Sequence, residues 1–315
     1  MKIMFRGTPE FACNSLKALV EAGHNVTSVV TTEDKPRGRG HKLTHPDVYI
    51  TAEKLGIRNI YQPKNLKKEN FEEILTKEDP ELIAVVAYGK LLPEYVINYP
   101  KYGCINVHGS LLPKYRGAAP MQWAIINGDS ETGVTTMYMD TGLDTGDMLL
   151  KAVLPLSEED NFGSVHDKLS LMGARLLVKT IDELSEIDKI PQGESTTEYA
   201  SMITKEMTII DWSLDAKSIV NLIRALSPFP KASCIFEDGK SLKILKAKKT
   251  DGATLEPCGT IVRVNSDSFD VACGGGTLIR IYEIQPEAKK AMPVSEYLKG
   301  NTLREFTVLR GKNEY

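Results

Sequence analysis

A chain of 315 residues, with 42% hydrophobic and 26% charged residues, has enough apolar material for a sizeable core and is long enough for two domains. A net charge of −3 excludes a generic polyanion binder, so any nucleic-acid contact has to come from local basic clusters. Five cysteines, odd in number and without a Cys-x-x-Cys pair, exclude a disulfide framework and a cysteine zinc site. No apolar run approaches the length of a membrane span, and no membrane contact is expected.

Residues 2–5 read as a strand, so close to the first residue that no signal or transit peptide is expected, and a cytoplasmic location follows. RGTPEF leads into a helix in which Phe11, Ala12, Leu16, Leu19 and Val20 share one face before Gly23 ends it. Residues 25–31 form a second strand. The basic segment KPRGRGHK, residues 35–42, contains no acid and sits in a loop of about 15 residues, longer than an ordinary strand-to-helix connection. Such a run is either a solvated charge cluster or a loop that orders on phosphates. A helix over residues 47–55, stopped by Gly56, and strands at residues 57–61, 81–87 and 104–107 continue the alternation. LIAVVA is almost wholly apolar, as in a parallel strand buried on both faces. The pattern predicts a doubly wound, mostly parallel α/β sheet with its ligand beyond the carboxyl ends of the strands. FRGTPEF has one glycine where the dinucleotide fingerprint needs three, which argues against a nicotinamide enzyme.

The stretch CINVHGSLLPKYRGAAPMQWAIINGDSETGVTTMYMDTGLDTGD, residues 104–147, carries the chemistry. Side chains on a strand alternate, so Asn106 and His108 leave the same face at the end of the apolar run. Pro120 opens a helix that Gly128 closes, and a β-rich run at residues 134–139 leads into a loop with three aspartates. An amide, an imidazole and a carboxylate drawn together supply the oxyanion donor, proton carrier and base of an acyl-type transfer. Each residue alone has a plainer reading as turn or core; their combination points to a site.

A long helix over residues 161–187 buries a stripe of Val165, Leu169, Met172 and Leu176. Residues 188–198, DKIPQGESTTE, read as a polar linker. A helix at residues 215–226 precedes five short β runs from Ala232 onward, which suggest a small barrel. The expected domains are residues 1–188, a linker at 189–206, and residues 207–315. Lys243, Lys246, Lys248 and Lys249, with Lys289 and Lys290, are equally consistent with solubility and with a groove for RNA.

NVHGSLLPKYRGAAPMQWAIINGD and GVTTMYMDTGLDTGDML resemble the 10-formyltetrahydrofolate-dependent formyltransferases. KIMFRGTPEFA, KPRGRGHKL, VVAYGKLLP, IDWSLDAKSIVNLIRALSPFP and KKAMPVSEYLKG extend the resemblance over nearly the whole chain, toward the members that act on initiator methionyl-tRNA. It implies catalytic roles for Asn106, His108 and Asp144, and folate contacts at Ser110, Leu111, Leu112 and Pro113. It further implies a formyl group carried by 10-formyltetrahydrofolate, no metal, and a C-terminal barrel of the OB type that binds tRNA. The basic loop becomes the part that reaches the acceptor stem, with Arg39 as its key residue and Arg37 and Lys42 beside it. Formyltransferases of nucleotide sugars or glycinamide ribonucleotide, folate hydrolases and plain RNA binders remain the alternatives. Nothing demands more than a monomer.

Overall fold

The protein's structure, a computed structural model, describes residues 1–37 and 42–312. Its elements begin β1 (Lys2–Gly7), α1 (Glu10–Glu21), β2 (Asn25–Val30), β3 (Lys35–Arg37), β4 (Lys42–Thr44) and α2 (Asp47–Lys54). They continue β5 (Asn59–Tyr61), α3 (Lys68–Glu78), β6 (Leu82–Val86), α4 (Glu94–Ile97), β7 (Cys104–His108) and α5 (Pro120–Ile126). Next come β8 (Glu131–Tyr138), β9 (Met148–Pro155), α6 (Phe162–Asp182) and α7 (Ala216–Leu226). The last are β10 (Ala232–Ile235), β11 (Ser241–Ala253), β12 (Ile261–Val264), β13 (Phe269–Ala272), β14 (Thr277–Pro286), β15 (Met292–Pro293) and α8 (Val294–Leu298).

The chain divides into two units. The first comprises Met1–Pro120, Glu131–Pro155 and His166–Ala200. Residues 121–130 and 156–165 group instead with the chain from Ser201 onward. Both short excursions depart from the contiguous division that composition suggests. Residues 189–200, expected as a linker, are bonded into the first unit, where Ile190 and Met148 exchange backbone hydrogen bonds of 2.8 and 2.9 Å.

A seven-stranded sheet in the order β5-β2-β1-β6-β7-β8-β9 forms the first unit's frame. The five strands from β5 to β7 are parallel, and β8 and β9 run antiparallel to their neighbours. The near-continuous apolar β6, LIAVV, lies in the middle and is buried along its length. Met4, Val30, Ile83, Val85 and Cys104 meet Phe71 and Leu75 of α3 and Val96 and Ile97 of α4. α6 packs on Val107 and Val134: a Cβ on Gly173 would lie 2.9 Å from Val107 Cγ1, so the absent side chain permits the close approach. Ser170 of α6 donates to the Phe11 carbonyl of α1 at 2.8 Å and accepts from Asn14 at 3.0 Å.

Arg6 sits wholly buried on β1, its guanidinium 4.6 and 4.9 Å from the ring centroids of Phe71 and Tyr88. None of its three side-chain nitrogens has a hydrogen-bond partner among the described residues. Burial pushes its pKa down, against the opposing pull of the nearby Tyr88 and Cys104. Where a plain basic loop was expected, β3 and β4 pair as a short antiparallel hairpin through Lys35↔Thr44, Pro36↔Leu43 and Arg37↔Lys42. At its base Asp34 accepts from Gln62 at 2.7 Å and lies 2.8 Å from His45 Nδ1.

In the second unit the sheet runs β10-β11-β14-β13-β12, all antiparallel. Residues near its end bridge the two edges, Arg310 to Ile235 of β10 and Val308 to Thr260 beside β12. The expected five strands therefore close on themselves, which removes the free edges of a small sheet. Ile219, Ile223 and Leu226 of α7 cover Leu242, Ile244, Ile279 and Ile281 of the wall. Asp215 caps α7 by accepting from the backbone N–H groups of Lys217 and Ser218.

Candidate active site

β1, β6 and β7 run parallel, so Gly7, Val86 and His108 end at one edge of the sheet, where loops gather. Asn106 and His108 alternate with Val107, which belongs to the face that packs on α6. Asn106 is half-buried, and its side-chain amide makes no hydrogen bond among the described residues.

His108 is 6% exposed. Its Nε2 lies 2.9 Å from the carbonyl oxygen of Tyr115; a carbonyl only accepts, so Nε2 carries a proton and donates. Nδ1 faces Asp144, 3.7 Å from Oδ1. That distance is too long for a hydrogen bond.

Asp144 adopts the left-handed region with φ of 55°, uncommon for a residue other than glycine. Two contacts hold it there. Its Oδ2 accepts from Gly117 N–H at 3.0 Å, and its carbonyl accepts from Gln192 Nε2 at 2.9 Å. The other two aspartates of DTGLDTGD do different work. Asp140 accepts from Thr145 Oγ1 at 2.8 Å and from Gly142 N–H at 3.0 Å, which folds the loop. The Asp147 carbonyl accepts from Tyr138 N–H at 2.8 Å and ties the loop's end to β8.

Ser110 to Pro113 form the turn beyond His108, fastened to β8. Thr135 Oγ1 donates to the Ser110 carbonyl at 2.7 Å and accepts from Leu112 N–H at 3.2 Å. Ser110 Oγ donates to the Lys114 carbonyl at 2.6 Å, and Leu112 is buried with Met137 and Met148. Leu111 rests on Gly133, where a Cβ would come within 2.5 Å of Leu111 Cδ2. Leu111 and Pro113 stay half-buried. Beyond β6, the YGKLLP loop leaves Leu91 71% exposed, an apolar surface in a loop otherwise tied down by Lys90 donating to the Pro63 carbonyl. A cavity of about 660 Å³, lined by Tyr102, Tyr138, Met139, Asp140, Gly146 and others, lies beside the aspartate loop but includes none of Asn106, His108 or Asp144.

Cys104, on the same strand, is no nucleophile: burial pushes its thiol up to about 12, and it donates weakly to the carbonyls of Val96 and Ile97. Among the described residues no cluster of three His, Cys, Asp or Glu could hold a metal ion. No described helix is long and apolar enough to cross a membrane. Arg39, and the side chains of Arg37 and Lys42, lie outside the described residues.

Residues 1–181 match the model of the formyl transferase family, and residues 202–302 match that of the formyl transferase C-terminal domain. The chain belongs to the formyl transferase family. A methionyl-tRNA formyltransferase of Caldanaerobacter subterraneus subsp. tengcongensis is 49% identical over 313 residues, covering 98% of this chain and 100% of the relative. One from Clostridium novyi is 47% identical over 98% of this chain and 100% of its own length. Among solved structures, a sugar 3N-formyl transferase, WlaRD, has a TM-score of 0.63 at 18% identity, over 92% of this chain and 99% of that one. A variant of HypX from Aquifex aeolicus has a TM-score of 0.64 at 17% identity over 96% of this chain, which spans about half (49%) of the HypX chain. At such identities these two likenesses speak for the fold alone.

Family membership sits well with the geometry around Asp144, but Arg116, Gly117 and Gln192 were not singled out by sequence reasoning. IPQG carries no periodicity and no motif of its own, and KYRG, though inside the stretch that resembles the family, gives Arg116 and Gly117 no role by itself. Only the fold shows that they meet.

Proposed function

We propose that this protein transfers the formyl group of 10-formyltetrahydrofolate to the amino group of methionine on initiator tRNA, giving N-formylmethionyl-tRNA for translation initiation. The carrying observation is the 49% identity to a methionyl-tRNA formyltransferase along the full chain. The convergence of Asn106, His108 and Asp144 beyond β7 supports the same reading.

The residues suit the co-substrate chemically: Asn106 brings an uncommitted amide, His108 an imidazole and Asp144 a carboxylate, and Leu111 and Pro113 in the turn after His108 are half-buried. The folate supplies a formyl group already attached to a nitrogen that can leave. A free α-amine has a pKa of roughly 7.7–8.0, and esterification lowers it, so the nucleophile arrives largely neutral. As nitrogen bonds to the formyl carbon, negative charge grows on the formyl oxygen and positive charge on the amine. Asn106 Nδ2 donates to that oxygen, an interaction worth about 2.7–4 kcal/mol in comparable sites. His108 has Nε2 committed to Tyr115, so Nδ1 is the ring nitrogen left to face the developing charge. Asp144 Oδ1, 3.7 Å from it, keeps the imidazole oriented, accepts the proton shed by the ammonium and returns it to the folate nitrogen as the carbon–nitrogen bond breaks. No covalent intermediate with the enzyme is needed.

The basic segment framed by β3 and β4, with Arg37, Arg39 and Lys42, takes the acceptor-stem phosphates in this reading. The protein works as a monomer in the cytoplasm, where translation initiates. The test is to supply the formyl donor with charged initiator tRNA, uncharged tRNA, an amino-sugar nucleotide or glycinamide ribonucleotide. Formylation of charged tRNA alone is expected; formylation of a small-molecule amine instead, or release of formate without acceptor, would overturn the reading.

A further inference from the structure

The segment 190–200 runs as a strap past both loops that build the site. Ile190 pairs with Met148 at the foot of the aspartate loop. At its other end the Ala200 carbonyl accepts from the N–H groups of Ala118 and Ala119 at 2.8 and 3.0 Å, and Thr197 Oγ1 accepts from Tyr115 N–H at 2.7 Å. Between these anchors lies Gln192. Its Oε1 accepts from Arg116 Nε and Nη2 at 3.0 and 2.9 Å, while its Nε2 donates to the carbonyls of Asp144 and Gly146 at 2.9 and 2.7 Å. Arg116 Nη2 also donates to the Gly193 carbonyl at 2.8 Å.

We propose, on the reading of the site given above, that Gln192 is a positioning residue that sets the Asp144 carboxylate against His108, with Arg116 as its anchor. The contacts close a ring. The Arg116 side chain holds Gln192, Gln192 holds the backbone of Asp144, and the Asp144 carboxylate is held by the N–H of Gly117, the residue after Arg116. Oδ2 is thereby engaged, and Oδ1 is the oxygen left facing His108 Nδ1. A primary amide suits this place because one end must accept from a guanidinium while the other donates to two carbonyls. A carboxylate there would set negative oxygen against both carbonyls. The left-handed backbone of Asp144 needs such restraint, since an uncommon conformation persists only where its surroundings over-determine it.

Gln192→Met keeps the volume and removes the amide; Gln192→Ala removes both. Each variant is expected to lower kcat by about 10- to 100-fold, as loss of a supporting hydrogen bond does elsewhere. KM for the folate donor should stay within about twofold, because both ends of the Gln192 amide are engaged by Arg116 and the aspartate loop. A plain structural staple would lower the rate by unfolding part of the protein, so the deciding readout is kcat in two backgrounds, with the unfolding midpoint determined on the same preparations. If Gln192 acts through the Asp144 carboxylate, Gln192→Met lowers kcat in the otherwise wild-type protein and has little further effect in Asp144→Asn, at an unchanged midpoint. An equal loss of kcat in both backgrounds, or an undiminished kcat in folded Gln192→Met, overturns the proposal. Should that variant not fold, Arg116→Met leaves the amide in place without its anchor; a smaller loss confined to the wild-type background supports the proposal, and none overturns it. A wild-type protein unable to formylate charged tRNA would defeat the functional reading separately.

Discussion

In the second unit Arg280 sets Nε and Nη2 at 2.7 and 2.9 Å from the two oxygens of Asp270, whereas in the first His108 Nδ1 stops 3.7 Å from Asp144 Oδ1. Arg280 and Asp270 face each other in register across β14 and β13, and the planar guanidinium satisfies both carboxylate oxygens. That pair has nothing left to offer a ligand from the Asp270 side. His108 and Asp144 come from the ends of separate strands, keep a gap between them, and stand beside an amide with no partner. Arg280 and Asp270 satisfy each other, whereas His108 and Asp144 stop short of contact; under the proposed function that difference separates the structural use of charge from its chemical use.

The comparison breaks first if the site residues do not carry the rate. Asn106→Ala and His108→Ala should each lower kcat by about 10²–10³, as removal of one oxyanion donor does. The stability measured by urea unfolding should change by less than about 1 kcal/mol for Asn106→Ala, since the half-buried amide makes no hydrogen bond among the described residues. A kcat near that of the wild type would remove the residue from the chemistry. Arg6 sharpens the comparison from another side, as a charge neither saturated nor mobile. Replacing it by methionine should leave stability unchanged or raise it by up to about 4 kcal/mol, because a buried charge is exchanged for an apolar chain of similar volume. A loss of more than about 1 kcal/mol would show that the Phe71 and Tyr88 contacts outweigh the cost of burial.

For the saturated pair, Arg280→Ala should cost about 1–3 kcal/mol by stranding the buried Asp270 carboxylate, with kcat per folded molecule unaltered. The partial exposure of Arg280, 34% at its side chain, keeps that figure below the cost of a fully buried pair. A change in kcat with no change in stability would reverse the assignment. The smallest effect belongs to the α7 cap. Asp215→Ala should cost about 1 kcal/mol at neutral pH. The backbone N–H of Ser218, first, and that of Lys217 hold the Asp215 carboxyl below its usual pKa. A depressed carboxyl contributes stability above its unfolded pKa and loses it as pH falls through the folded one, so the mutant's deficit should close toward acid. A deficit constant from neutral to acid pH would assign it to something other than the charge.

The parallel strands were legible because burial on both faces leaves continuous apolar runs, as in LIAVV. Asn106 and His108 were legible through the two-residue period of β7. Asp144 was singled out by resemblance, since three aspartates share its loop and only the fold separates the one facing His108 from the one folding the turn. β9 escaped notice: MLLKAVLP begins with two buried residues and alternates only after them, so no single period runs through it. The hairpin of β3 and β4 hid behind its charges. Gln192 and Arg116 left no trace because their partners lie 46 to 77 residues apart and are joined by backbone carbonyls that composition does not encode. The lysines of β11 also read differently in the folded chain, where Glu159 forms ion pairs with both Lys246 and Lys248.

Asp144→Asn is the most direct test of the account. Asparagine retains an oxygen for Gly117 N–H and the size of the side chain, and gives up the negative charge and the capacity to take the ammonium proton. The measurement is the single-turnover rate of formyl transfer to charged initiator tRNA, with the unfolding midpoint determined on the same preparation. The rate is expected to fall by about 10²–10⁴-fold at an unchanged midpoint, the span typical of a lost general base. A wild-type rate in Asp144→Asn would contradict it.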